Sequence, residues 1–440
     1  MPGAVGAVEP DTGWAVGRTV AVVGIYYAPD STGIAPYTTD LCQTLAGFGA
    51  QVEMTTGFPH YPRWTLDRAD RFRLVGREIR SGVRVTRVRH LVPRRQDVLR
   101  RGLYELTFYL GSRLAVRGHR PDVVLGVTPN LAGAATAARL ANRCGAPLGI
   151  VVQDLVGLAA AQSGMRGGRG VAGPVASTEA RILRRADRIA VISDAFVPPL
   201  VRAGVQAGRI IRLPNHTHIA PSGLGTAEAR QVLGWPVDRR LVVHTGNMGL
   251  KQGLDNVVEA ARLAQDRRDD LMFVLVGDGS TRAALRRRAA GLANLLLVDP
   301  LPDQRYPVAL AAADCLLLNE RASVVNMSMP SKLTSYLAAG RPIVAATSPQ
   351  GSAAAELRRS GAGVLVEPDR PAELLAAVTR LLDDPEGRAA YGRNGRRYAA
   401  DHLSEQAAHR RLGRFVRALC EHTPVATGRS GVAPGQPGRT

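Results

Sequence analysis

Residues 242–261 read VVHTGNMGLKQGLDNVVEAA, and the architecture follows from this stretch. A β-branched apolar run ends at Thr245. A loop with Gly246 and Gly249 comes next, then Lys251, Gly253 and the helical pattern LDNVVEAARLAQDR. Strand, glycine loop and helix make one unit of a βα series. Glycines let backbone amides approach an anion, and the start of the next helix adds a positive dipole end. Gly246, Asn247, Gly249 and Lys251 are therefore predicted to hold phosphate, the ammonium acting as a compact charge. The alternative is an ordinary βα turn carrying a solvated lysine.

The composition makes that lysine informative. Of 57 basic residues only Lys251 and Lys332 are lysine, and the other 55 are arginine. An arginine bias with abundant Ala and Gly reflects a GC-rich genome, so most arginines need no functional explanation. Lys332 lies in MPSKLTSYLAAG (329–340), where Pro330 and Ser331 read as a helix start and Gly340 as its stop. The amides of Ser331, Lys332 and Leu333 are predicted to lie unpaired there, again in anion-site geometry. An ordinary capped helix is the bland reading. Both lysines at loop-to-helix starts, on the carboxyl ends of strands, predict one joint diphosphate site.

Working outward, short apolar runs alternate with helical patterns. Strands are predicted over 19–27, 51–56, 84–89, 122–127, 148–153, 188–193 and 209–214, then over 241–246, 272–277, 295–299, 315–319, 342–347 and 363–367. Near-continuous Val/Ile/Leu runs suit parallel sheets covered on both faces. The fold class is α/β: two doubly wound Rossmann-like domains facing a cleft, with ligands at strand carboxyl ends. The expected division is a flexible 1–18, an N-terminal domain 19–215, a linker 216–238, a C-terminal domain 239–395, a helix 396–420 possible as a crossing back to the N-terminal domain, and a disordered tail 421–440.

Other stretches face the same cleft. FVLVGDGS (273–280) runs into Gly277-Asp278-Gly279, which permits close backbone approach to a ligand. GIYYAPDSTGIAPYTTDL (24–41) carries a loop with Ser31, Thr32 and Gly33 before a helix. The absence of GxGxxG argues against nicotinamide binding. In IVVQDLVGL (150–158), Asp154 ends a strand and serves either a sugar hydroxyl, as partner or base, or a helix N-cap. His60 and the pair His216/His218 are open between ligand and packing roles. No carboxylate cluster in the sequence supports a metal there, and none is predicted.

The net charge of +20 and pI of about 10.9 favour polyanions: nucleic acid, anionic lipid or phosphorylated substrates. Residues 63–101 hold 13 arginines. VLRRGLYELTFYLGSRLAVRG (98–118) then mixes apolar and basic residues at helical spacing. It suits an anionic bilayer, or equally a core-facing helix with a solvated basic side. Four scattered cysteines form no CxxC pattern, which fits a reducing cytoplasm. Neither a signal peptide nor a membrane-spanning run is expected.

Taken together, YYAPDSTGIAPYTTDL, TGFPHYPRW, VVQDL, ADRIAVIS, LPN, TGNMGLKQGLDNVVEAA, LVGDG and MPSKLTSYLAAGRPIVA resemble a retaining GT-B glycosyltransferase of family four, exopolysaccharide (colanic-acid type) subgroup. The resemblance spans about residues 19–415. It implies a nucleotide-sugar donor on the C-terminal domain and a saccharide or lipid-linked saccharide acceptor on the N-terminal one. It also implies a catalytic set of Asp154, Lys251 and Lys332, with no essential metal or other cofactor. The location implied is cytoplasmic, possible as a peripheral protein of the inner membrane face. The family's paired glutamates are absent: Met327 and Ser335 stand at those positions, and Glu320 lies nearby as a replacement carboxylate. The family's arginine before the lysine is also missing, with Asn247 in its neighbourhood. Rival readings are a sugar-nucleotide epimerase of the same fold, a basic nucleic-acid-binding protein, and an inactive nucleotide-binding relative. No nucleic-acid module is recognisable, so no nucleic-acid partner is expected.

Overall fold

The computed structural model describes residues 12–421 apart from 31–32, 62, 94–96, 158–167, 266 and 325–328. Two sheets form because each apolar run buries both faces. In β1 (Thr19–Val23), Val20 and Val22 enter one core cluster while Ala21 and Val23 enter another. In β9 (Arg240–Thr245), Leu241 and Val243 face one layer and Val242 the other.

The N-terminal sheet also contains β2 (Gln51–Gly57), β3 (Val75–Arg80), β4 (Val83–Val88), β5 (Val123–Val127), β6 (Leu148–Val152), β7 (Arg188–Val191) and β8 (Ile210–Arg212). Its order is β3-β4-β2-β1-β5-β6-β7-β8, and only the β3–β4 pair is antiparallel. The C-terminal sheet adds β10 (Leu271–Val276), β11 (Leu295–Val298), β12 (Cys315–Asn319), β13 (Ile343–Ala346) and β14 (Gly363–Val366). Its order β11-β10-β9-β12-β13-β14 is the doubly wound 3-2-1-4-5-6 arrangement, with the switch point between β9 and β12.

All thirteen expected strands are present, and β3 is additional. Its sequence, VGREIR, is mostly exposed on the sheet edge, so it lacks the apolar run that marks the others. β1 stops at Val23, short of the expected 27.

Two domain boundaries differ from expectation. Much of 216–238 is not a linker: the helix Thr226–Leu233 buries Ala229, and Trp235 follows it into the C-terminal core. Arg230 is buried there, donating to the Ala312 carbonyl and pairing with Asp314. At the other end, Pro385–His402 is one helix continuous across the expected boundary at 396. A second helix, Glu405–Cys420, starts after Ser404, whose hydroxyl accepts from Ala407 N–H. This second helix packs Leu412, Phe415, Val416 and Leu419 into the N-terminal core beside Val20 and Leu45. Residues 1–11 and 422–440, expected to be loose, lie outside the described residues.

Side chains tie the domains together where the chain leaves β8. Arg212, in β8, lies 2.7 Å from Glu356 of the helix Ser352–Ser360. The Tyr398 hydroxyl donates to the same carboxylate at 2.7 Å. Within the N-terminal domain, Gln153 and Asn215 exchange two amide hydrogen bonds of 3.1 and 2.8 Å, fixing the end of β6 to the segment after β8.

Phe415 is fully buried on the crossing helix. Phe415→Ala should cost about 3–5 kcal/mol. Denaturant unfolding should register it, while the C-terminal core stays intact.

Candidate functional site

A cleft of about 1160 Å³ opens between the carboxyl ends of the two sheets. Lys251, Lys332, Gly246, Asn247, Pro330 and Ser331 line it from the C-terminal side, and Gly33 from the N-terminal side. Both lysines thus reach one cleft, as their placement in the sequence predicts.

The Lys251 turn is held from below. Leu250–Gln252 is a single 3-10 turn closed by Gly253 at φ +55. Asn319, buried at the end of β12, donates to the carbonyls of Gln252 and Gly253 at 2.8 and 3.0 Å. Arg321 N–H donates to the Lys251 carbonyl at 2.9 Å. The β12 terminus therefore fixes the turn and places Glu320 in the cleft beside it.

Lys332 sits at the start of the helix Ser331–Ala339, whose Leu333, Tyr336 and Leu337 enter the core. Its ammonium end is half-buried in the cleft wall, 3.1 Å from His244 Nε2. His244 Nδ1 is 3.1 Å from the Leu317 carbonyl, which can only accept. Nδ1 therefore carries the proton, and Nε2 accepts from the ammonium. Burial, reinforced by Lys332, holds His244 neutral with its pKa well below the ordinary imidazole value. Burial also pushes Lys332 down to about 8, opposed by Glu320. Burial raises Glu320 in turn, and both lysines act against that rise, so one carboxylate faces two cations. The Thr347 hydroxyl donates to Glu320 Oε2 at 2.6 Å.

The Ser331 and Lys332 amides have no acceptor among the described residues. The Leu333 amide differs from expectation: it donates to the Pro330 carbonyl at 3.0 Å, closing the first turn. Leu333 itself is core. Gly340, at φ +66, ends the helix as expected.

Gly277, Asp278, Gly279 and Gly249 do not line the cleft. The close backbone approach at the first three is to the protein's own loop. A Cβ on Gly277 would stand 1.9 Å from the Gly246 carbonyl oxygen, and one on Gly279 2.5 Å from that of Met248. Met248 N–H donates to the Asp278 carbonyl at 2.8 Å. This turn is the floor beneath the Lys251 loop. The Gly249 amide is taken by the Gln252 side chain at 3.1 Å.

Across the cleft, Gly33 has φ +65 and would bring a Cβ within 3.2 Å of the Tyr61 ring. Ser31 and Thr32 lie outside the described residues, as does Met327. Asp154 follows β6, and burial pushes its carboxyl up to about 7, opposed first by Lys251. The N-cap alternative fails, because Glu179 accepts from the Val156 and Gly157 amides at 2.8 and 2.9 Å. Ser335 lines the cleft.

His60 is a packing residue, enclosed by Tyr26, Trp64, His90 and Tyr104, with burial lowering it to about 4. His218 lines the cleft against the Tyr37 ring at 4.6 Å. Asp40, Glu405 and His409 bring their ligand atoms within 4.8 Å of one another beside His216. The His409–Asp40 pair at 3.2 Å ties the crossing helix to Ala35–Gly47 and accounts for that arrangement. The sequence reading did not assign His244 a role, nor Asn319 or Asp30. The signal for two of them is a polar residue at the carboxyl end of an otherwise apolar strand. Asp30 lines the cleft, with burial raising it to about 6.

Residues 32–216 match the glycosyl transferase 4-like domain, and residues 225–398 match glycosyl transferases group 1. The chain belongs to the GT-B glycosyltransferases composed of these two domains. A particular relative is the putative colanic acid biosynthesis glycosyl transferase WcaI of Escherichia coli K12. It is 31% identical over 380 residues, covering 82% of this chain and 92% of the relative. Among solved structures, a sucrose-phosphate synthase of Thermosynechococcus elongatus superposes with a TM-score of 0.70 at 20% identity, covering 91% of this chain and 99% of that one. Anabaena Alr3699/HepE in complex with UDP gives 0.66 at 15% identity, covering 91% and 100%. These two establish the likeness of fold. No helix among the described residues is long and apolar enough to cross a membrane.

An anion bound at Lys332 favours its protonated form. Affinity for a nucleoside diphosphate should therefore be full below pH 8 and weaken above it, by up to about tenfold per pH unit. Isothermal titration between pH 7 and 10 reads this directly. Lys332→Met should lower affinity at neutral pH and flatten the profile.

Proposed function

We propose that this chain transfers a sugar from a nucleoside-diphosphate sugar to a hydroxyl of a lipid-linked saccharide, with retention, in exopolysaccharide synthesis. The observation that carries the reading is the convergence of Lys251 and Lys332 on one interdomain cleft, beside a helix start. The kinship with WcaI supports the product class, and the UDP held by HepE supports the donor class.

In this reading the donor diphosphate lies between the two ammonium groups, against the Ser331 and Lys332 amides. Without donor, Glu320 balances the lysines; with donor, phosphate oxygens take over that role. Cleavage of the glycosidic bond leaves charge on the diphosphate while the sugar becomes oxocarbenium-like. Preorganised cations at that point stabilise the transition state more than the ground state. The reading gives this charge to protein cations rather than to a metal ion. The departing phosphate oxygen takes the acceptor's proton on the face it leaves, which yields retention without a protein nucleophile. Asp154, raised to about 7 by burial, orients a sugar hydroxyl from the N-terminal side. The acceptor enters past Gly33 and Asp30, and closure of the two domains excludes water.

Lys251→Ala should lower kcat/KM for transfer by about 10²–10³-fold. It should also weaken nucleoside diphosphate more than the free nucleoside. A panel of UDP-, GDP- and ADP-sugars in thermal-shift assays identifies the donor, and NMR of the product's anomeric coupling reads retention. Unchanged turnover in the variant, or an inverted anomer, contradicts the reading.

A further inference from the structure

The helix Val98–Ala115 has two unlike faces. Tyr104, Phe108 and Ser112 are buried, spaced at i+4. On the opposite side Leu99, Leu103, Leu106, Leu110 and Leu114 are 42–74% exposed. At 100° per residue these five leucines fall within about 80° of arc. The helix is fixed in this orientation: Glu105 accepts from Asn130 Nδ2 and Ala132 N–H at 2.7 and 2.9 Å. Leu91 N–H donates to Thr107 Oγ1 at 2.9 Å. The stripe is thus held outward.

Basic groups border it. A groove of about 720 Å³ runs alongside, walled by Leu74, Leu91 and Thr107 and by Arg68, Arg71 and Arg89. Phe72 stands exposed at its edge. Arg113 and Arg117 flank the far end of the stripe, both exposed. Among the described residues none of these five arginines has a carboxylate partner. A row of apolar side chains between uncompensated guanidinium groups matches the two layers of a bilayer surface, acyl chains below and lipid phosphates above.

We infer that this face docks the protein on an anionic lipid bilayer, with the leucine stripe entering the acyl boundary and the groove arginines meeting headgroup phosphates. Other occupants fit less well. A second copy would oppose arginine to arginine on a chain of net charge +20. The chain's own residues 422–440 carry two arginines, no carboxylate, and no Leu, Ile, Phe or Met to match the stripe. The inference gives the lipid-linked acceptor of the proposed function a surface to arrive from, and in that sense rests on that reading. Its physical basis is the stripe and the arginines alone.

The test is co-sedimentation of the full chain with vesicles of phosphatidylcholine alone or with about one-third phosphatidylglycerol. The anionic vesicles should retain the protein and the neutral ones should not. Leu106→Ser with Leu110→Ser should lower retention at least about tenfold. Arg68→Ala with Arg71→Ala should lower it and reduce its salt dependence. Both double variants should keep the wild-type melting temperature and nucleoside-diphosphate affinity. The inference is overturned if the anionic vesicles do not retain the chain, or if the leucine variant is retained like wild type. It is also overturned if that variant instead converts a dimer to a monomer in size-exclusion chromatography. Intact vesicle binding with no sugar transfer from any donor would sink the proposed function and leave this inference standing.

Discussion

A lysine ammonium drawn partly out of water must find partners or lose its proton. Lys332 has the neutral His244 nitrogen at 3.1 Å and the Glu320 carboxylate in the same cleft. The rest of the site is organised around that constraint. His244 is kept in one tautomer by the Leu317 carbonyl, so its lone pair always faces the ammonium. Glu320 lies between two cations and is itself anchored by Thr347. The result is a charge cluster in which one carboxylate is balanced against two lysines.

The sheet topology puts this cluster where it is. β9 and β12 are neighbours at the switch point, so the loop after β9 and the terminus after β12 emerge side by side. One brings Lys251 and the other brings Glu320 with Asn319 beneath it. The Gly277–Gly279 turn after β10 supports the Lys251 loop by a backbone approach that any side chain would block. The opposing domain is held where the chain leaves β8 by the Arg212–Glu356 pair.

Much of this was legible in the residues. Strands buried on both faces announce themselves by unbroken Val/Ile/Leu runs, and two lone lysines among 55 arginines pointed to the cleft. The edge strand β3 carried no such run and was missed. Helix starts were readable from Pro330-Ser331, but the closing bond from Leu333 was not, since it depends on local geometry. Gly277 and Gly279 showed that something approaches closely, without showing that the neighbour is the protein itself. The linker expected over 216–238 is shorter in the structure because Trp235 and Ala229 look no different in a linker than in a core. His244 could not be assigned at all, because its partner lies 88 residues away. The Leu99–Leu114 stripe shows helical spacing in the sequence, and only the fold decides which face is exposed.

The central claim is that two ammonium groups from separate turns hold one diphosphate between the domains. The most direct measurement is a crystal structure of the protein with a bound nucleoside diphosphate. Lys251 Nζ and Lys332 Nζ should both lie within about 2.7–3.2 Å of oxygens of the same diphosphate, with Glu320 displaced from between them. A diphosphate bound elsewhere, or touched by neither lysine or by only one, would contradict the account.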